Sequence, residues 1–280
     1  MKRLLLRFML VFLAVLTISY AAAPFDSSDG GHEKTERSRT RNLTSPKIQS
    51  LHTEGLARYI GVSNSYFKDK FGEPDEKIDS IEGVEWWNYD VNQNDYLRVG
   101  IDKYTKKVCD IIELSAKLGQ QLSVGMSMKQ VLKKTTLYAN FAFDVNEQTA
   151  QIELSEYDLN NHPLVSFDNG SYAILDFTPR KKKVVYAIHY LDKNELLRGK
   201  YYRVLSKTPL PSRYVSKIDW EKHDGDFSKD LISQLNVKRL QEGKVPVEYD
   251  YNAECVALDL MNSLEANPRK YLSKKDFEEY

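Results

Sequence analysis

Five histidines and two cysteines in 280 residues leave little material for metal or thiol chemistry. His32, His52, His162, His189 and His223 are scattered, and none pairs with a His, Cys or Asp at metal-ligand spacing. Cys109 and Cys255 lie far apart, and nothing in their spacing requires a bridge. There is no Gly-x-Ser-x-Gly elbow, no phosphate loop and no dinucleotide fingerprint, which removes the common hydrolase and nucleotide-binding signatures. Asp224, Gly225 and Asp226 are too short a run for a calcium loop. Charge of one sign is missing too. Forty basic residues balance forty acidic ones, so no general field draws nucleic acid or anionic lipid. The apolar fraction of 41% is enough for a real core. Tyrosine is plentiful, 18 against 11 Phe, and suits half-buried strands.

The one long apolar run is at the start. Met1, Lys2 and Arg3 precede an almost wholly apolar stretch from Leu4 to Ala23 that ends on small residues. Basic, then apolar, then small is the layout of an export signal, and Ser19-Tyr20-Ala21 offers a cleavage site. Counted from Leu4 the run also nears the length of about 20 that a membrane anchor needs. Either reading places the bulk of the chain outside the cytoplasm. Residues 24–50 form a polar tract that cannot bury enough surface to order itself and reads as a tether. Asn42 and Asn169 head glycosylation sequons, a motif common by chance.

Two stretches that follow look like copies of one unit. The first opens with Gly61-Val62-Ser63, where Ser63 can cap a short helix. Phe67 and Phe71 share one face of that helix, and Gly72 with Pro74 stops it. Strands are expected at Val84–Tyr89, Tyr96–Ile101 and Lys107–Ile112. The second copy opens with Gly125-Met126-Ser127 and a helix bearing Met128, Val131 and Leu132. Its strand candidates are Phe141–Phe143, Ala150–Leu154, Leu164–Phe167, Tyr172–Phe177 and Val184–Leu191, with Asp168-Asn169-Gly170 as a hairpin turn. The second copy lacks the Phe-Gly-x-Pro stop and carries more strand.

Trp86, Trp87 and Tyr89 are the candidate binding surface. Neighbouring strand residues point to opposite faces, so one Trp is expected inside and the other outside. Two roles are open to the outer one: a binding anchor, or a cover for the sheet edge or the neighbouring copy. His189, in an apolar strand, reads as a satisfied structural residue. Lys181, Lys182 and Lys183 read as a solvated hairpin tip, with anionic wall polymer or lipid headgroups as the second role.

Residues Gly61 to Pro74, Glu85 to Tyr89, Tyr96 to Gly100, and Gly125-Met126-Ser127 with Val131 together resemble the CAP-associated N-terminal domain. That family occurs in exported proteins of Gram-positive bacteria, ahead of a CAP (SCP/PR1-like) domain. The resemblance runs over roughly Ala57 to Tyr202. It implies an extracytoplasmic accessory domain and brings no catalytic residues. Beyond it, residues 206–225 read as a linker with two prolines. Asp226 is expected to cap a helix from Phe227 to Gln241 whose stripe is Phe227, Leu231, Ile232, Leu235 and Leu240, and a second helix runs from Asn252 to Leu264. Pro268 is expected to open a last short helix. Asn236, Arg239, Gly243, Pro246 and Val247 with Tyr249-Asp250 resemble the opening of a CAP domain. The second helix carries Asp259-Leu260-Met261 where that family normally has a His, and no His follows His223.

The sequence therefore implies an α+β protein in five parts. These are a signal or anchor (1–23), a linker (24–50), a two-copy helix-plus-antiparallel-sheet domain (51–205), a second linker (206–225) and a helical, partial CAP-like segment (226–280). It implies no enzyme, no cofactor, no metal and no nucleic acid. The expected partner is a cell-envelope protein or polymer, and membrane contact comes only through the N-terminal segment. The alternative is a truncated or divergent part of a CAP-domain protein whose hydrolase or ligand-binding activity lies in that domain.

Overall fold

The computed structural model of the chain describes residues 48–267 except 81–82, 91–95, 115–120, 146–147, 179–182 and 206–219. The export segment, most of the polar tract, the Asn42 sequon, Lys181 and Lys182, and the helix expected after Pro268 lie outside the described residues. No helix among the described residues is long and apolar enough to cross a membrane.

The first copy starts with a 3-10 turn at Gly55–Tyr59 and helix α1 at Asn64–Phe71. The Tyr66 amide donates to Ser63 Oγ at 3.2 Å, as an N-cap should. Gly72 ends the helix at φ +85°. Four antiparallel strands follow: β1 (Glu76–Asp79), β2 (Val84–Tyr89), β3 (Leu97–Asp102) and β4 (Val108–Glu113). Strand β1 is an addition to the three expected from the sequence. It is an edge strand with one buried side chain, Ile78, so it carries almost no apolar signal.

The second copy begins with α2 (Met128–Leu132), where Gln130 Oε1 accepts from the Ser127 amide at 2.8 Å. Strands β5 (Asn140–Val145) and β6 (Gln148–Glu153) come next, then α3 (Glu156–Asn161). Strands β7 (Leu164–Ser166), β8 (Tyr172–Phe177) and β9 (Val185–Leu191) complete the unit. Helix α4 (Lys193–Arg198) and the two-residue strand β10 (Arg203–Val204) follow. Helices α3 and α4 were not expected. Each is six residues long, too short to display a helical period, and each is set by a cap: Ser155 with Asp158 for α3, Asp192 for α4.

The two stretches that the sequence reads as copies share one seven-stranded sheet, in the order β1-β2-β3-β4-β9-β8-β7. Strands β4 and β9 pair antiparallel at its centre, Ile111 opposite Tyr190 and Ile112 opposite His189. The two openings dock alike. The Gly61 amide donates to Val108 O at 2.8 Å and Val108 returns the bond to Val62 O at 2.9 Å; Gly125 and Val185 do the same at 2.7 Å, with Met126 O receiving 2.8 Å. Gly61 sits at φ +87° and Gly125 at φ +91°, where a Cβ would meet no atom but the backbone itself would be strained. Gly61→Ala and Gly125→Ala are each expected to cost about 1–2 kcal/mol. Urea denaturation should show a lower midpoint with an unchanged slope for either variant.

The sheet's inner face packs against the 3-10 turn, α1 and α2. Phe67, Trp87, Val99, Ile111, Val131, Leu175 and Ile188 are among its buried residues. On the outer face, β5, β6 and β10 form a three-stranded sheet in the order β10-β6-β5. Phe141, Phe143, Ile152 and Leu197 cover Leu164, Ile174 and Leu191 there. Over β1 to β3 the outer face meets helix α5.

Helix α5 spans Trp220–Gln241, and α6 spans Tyr251–Ala266. The expected start of α5 is corrected: Asp226 is an interior residue, and the helix runs through Gly225. Its expected burial is corrected as well. Leu231 and Leu235 are exposed, while Asp230, Ser233, Asn236 and Val237 are buried. The polar side of the helix faces the protein because the sheet beneath offers polar partners.

Candidate functional site

The outer face of the seven-stranded sheet carries two polar arrangements in otherwise apolar strands. The first lies under α5. Asp230 has no exposed surface, and its carboxylate accepts from Arg98 Nη2 at 2.6 Å and Asn88 Nδ2 at 2.9 Å. Tyr96 Oη donates to the same carboxylate at 3.3 Å, and Gln234 Nε2 to its other oxygen at 3.1 Å. Arg98 projects from β3, Asn88 from β2, and Tyr96 immediately precedes β3. A helix residue is thus held by three residues of the first copy. Burial, reinforced by the Asp230 charge, pushes the Tyr96 phenol far above its usual range. Further along α5, Lys238 Nζ lies 5.3 Å over the Tyr186 ring, and Gln241 Nε2 donates to Leu114 O.

The tryptophan pair divides between faces. Trp87 is 3% exposed and lies in the inner core, where Lys77 Nζ sits 4.9 Å from its ring. Tyr89 is buried against Phe67 and Phe71. These two therefore belong to the core rather than to a surface. Trp86 points to the outer face, where the Arg98 guanidinium lies 3.9 Å over its ring. It is half-buried and forms part of the ground on which α5 sits. Gly100 makes the arrangement possible: a Cβ there would come within 2.9 Å of Asp110 Cβ and 3.0 Å of Trp86 Cζ3.

The second arrangement surrounds a cavity of about 260 Å³ beside β8 and β9. His189 Nε2 lies 2.7 and 2.8 Å from the two oxygens of Asp110 across the β4–β9 pairing. His162, at the end of α3, places Nδ1 2.7 Å from Asp176 Oδ1 on β8. Asp158 of α3 reaches the wall, with Oδ2 accepting the Ser155 amide at 2.8 Å. Tyr201 meets the His189 ring edge-on at 5.3 Å, and Tyr202 Oη donates to the His162 carbonyl at 2.6 Å.

His189 has the structural partner expected of it. The gathering of His162, Asp176, Asp110 and Tyr201 around it was not foreseen. Strand register does it: Ile174 stands opposite His189 and Asp176 opposite Ala187, so both polar side chains share the outer face. A signal was present in the sequence. Asp110, Asp176 and His189 are polar residues at outward positions of three apolar strands. Among the described residues, no group of three or more His, Cys, Asp and Glu is arranged to hold a metal ion. Cys109 and Cys255 are not bonded to each other; the Cys109 thiol is buried and donates to Gly100 O at 3.4 Å. Asn169 is engaged inside the β7–β8 turn, its Nδ2 donating to Ala57 O at 3.0 Å.

Buried phenols make the fold sensitive to alkali. Burial raises Tyr172 and Tyr186 to about 12, and holds Tyr190 and Tyr202 far above their usual range. A group whose value is raised in the folded state stabilises it below its unfolded value, about 10 for Tyr. That stability is lost as pH climbs from there through the folded values. Stability is expected to fall steadily from about pH 10 to 12. The check is circular dichroism beside phenolate absorbance, with part of the absorbance appearing only as the fold is lost.

Comparison with known proteins agrees with the architecture. Residues 60–202 match the family model described as CAP-associated N-terminal. An uncharacterized membrane protein, YlbC of Bacillus subtilis (strain 168), is 23% identical over 271 residues, covering 94% of this chain and 76% of that protein. The crystal structure of an extracellular protein containing a SCP domain from Bacillus anthracis str. Ames superimposes with a TM-score of 0.66 at 20% identity. That match covers 81% of this chain and 74% of the other. A cysteine-rich secretory protein from Staphylococcus aureus subsp. aureus Mu50 gives a TM-score of 0.62 at 17% identity, covering 72% of this chain and 65% of that one. The two structures share the fold with this chain. With the family model matching half of its length, through both copies of the sheet, the chain belongs to the CAP-associated N-terminal family.

Proposed function

We propose that this is an exported, non-catalytic accessory protein of the cell surface, whose sheet serves as a docking platform for the helical segment that follows it. The observation that carries the reading is Asp230, fully buried in α5 and gripped by Arg98, Asn88 and Tyr96 of the first copy. A buried charge gripped this way fixes one helix position against the sheet, which is what a scaffold must do and a passive linker need not. The descriptions of the relatives, one a membrane protein, one extracellular and one secretory, support a location outside the cytoplasm. The apolar N-terminal run supports export. An envelope protein or polymer is the partner that such a location offers.

Two measurements test this reading. Protease added to intact cells producing the full chain should degrade it; a chain protected until the cells are broken would defeat the location. Hydrogen exchange should find the α5 amides near Asp230 slow in the native chain and fast in Arg98→Ala. Equal rates in the two would defeat the docking role.

A second reading is favoured by the outward sides of the last two helices. Leu231 and Leu235 of α5, and Val256, Leu258, Leu260 and Met261 of α6, are exposed. Apolar faces of this kind suit the first helices of a larger unit, as the CAP resemblance implies, and activity would then belong to that unit.

A further inference from the structure

We infer that the cavity between α3, β8–β9 and the Tyr201-Tyr202 segment is a binding site for an alkylammonium group. Its lining is rich in acceptors. A carboxylate can only accept, so the ring nitrogens facing one carry hydrogen: Nδ1 of His162 toward Asp176 and Nε2 of His189 toward Asp110. In the neutral rings the opposite nitrogens, Nε2 of His162 and Nδ1 of His189, are then acceptors. Asp158 and Asp176 add carboxylates to the wall, and no Lys or Arg side chain lines it. Tyr201, packed edge-on against His189, supplies an aromatic surface beside these acceptors. Carboxylates with an aromatic ring, and no Lys or Arg among them, suit a cation that carries several N–H donors.

The same features disfavour the other ligand classes. A phosphate or carboxylate would meet Asp158 and Asp176 with no Lys or Arg in the lining to offset them. A purely apolar ligand would desolvate the Asp158 and Asp176 carboxylates and the outward imidazole nitrogens without giving them a new partner. Size narrows the choice further. At about 260 Å³ the cavity is a little below the usual range of roughly 300–1,000 Å³ for small-molecule sites. It suits one aminoalkyl arm rather than a larger metabolite. Such an arm belongs either to a small diamine or to a lysine-like side chain of a peptide or wall polymer.

The test uses the full chain and four probes: 1,5-diaminopentane, Nα-acetyl-lysine methylamide, its Nε-acetylated form and 1,5-pentanediol. The His162 and His189 imidazole nitrogens are followed by NMR during titration. Saturable shifts are expected with the ammonium probes and none with the two neutral ones. Binding of the diamine alone points to a free small amine, and binding of both ammonium probes to an arm on a larger chain. Asp176→Asn keeps the shape of the wall and removes a charge. It should weaken binding about tenfold, with circular dichroism unchanged. Tyr201→Leu removes the ring that packs edge-on against His189 and should weaken binding severalfold. The proposal is overturned if no ammonium probe gives saturable shifts, if the diol binds as well as the diamine, or if both variants bind as the native chain does.

Discussion

Replacing Asp230 with Ala is expected to release α5 from the sheet. The change leaves Arg98, 12% exposed in its side chain, without the carboxylate it holds at 2.6 Å. It also removes the acceptor of Asn88 Nδ2 and Tyr96 Oη. Breaking one side of a buried pair costs about 3–5 kcal/mol, most of it from the charge left behind. The prediction has a useful converse. Replacing both members with apolar residues of similar size, Asp230→Leu with Arg98→Met, removes the stranded charge and should recover most of that loss. Urea denaturation of Asp230→Leu, Arg98→Met and the double variant forms a thermodynamic cycle. A loss below about 1 kcal/mol for Asp230→Ala would mean that the pair contributes no more than a surface ion pair.

The second large effect is expected in the first copy. Phe67 has no exposed surface and lies in an aromatic group between α1 and the sheet. Phe71 stacks on it at 4.3 Å, Tyr59 meets it edge-on at 5.5 Å, and Tyr89 lies at 5.9 Å. Phe67→Ala removes the ring that the other three share, and close-packed neighbours relax only partly into the space. A loss of about 3–5 kcal/mol is expected, the range found for buried aromatic truncations. Thermal unfolding would show it as a lower midpoint, while Tyr66→Ala, on the exposed side of the same helix, should lie within about 0.5 kcal/mol of the native chain.

Much of this arrangement was legible in the residues. Period-two alternation located the longer strands, and Ser63, Ser127, Gly72 and the Asp168-Asn169-Gly170 turn marked their boundaries. The motifs at Gly61, Trp86 and Gly125 lie within the residues 60–202 that match the family. What local pattern hid is non-local. The Asp230 grip joins residues 142 positions apart at Asn88 and 134 apart at Tyr96, and no spacing rule reaches that far. The α5 stripe misled for a related reason. Phe227, Leu231 and Leu235 form the more apolar side, yet burial followed Asp230, Ser233 and Val237, because the sheet presents Arg98 and Asn88 to that side. The two tryptophans lie on opposite faces of β2, Trp87 buried and Trp86 half-buried rather than exposed. The outer member, Trp86, is committed to Arg98, which turns a candidate anchor into part of the platform.

The β4–β9 seam has a consequence for how the chain is made. Asp110 and His189 meet across it although 79 residues separate them. When β4 leaves the ribosome, its outer edge has no partner until β9 is complete. At roughly 5–20 residues per second that interval is about 4–16 s. During it the nascent chain displays an apolar edge carrying Val108, Ile111 and Ile112, a template for pairing with other chains. Holding the chain unfolded until both halves are present would avoid that hazard, and so would moving it across a membrane before it folds. A transcript cut short between the two strands should yield an aggregating product rather than half a domain.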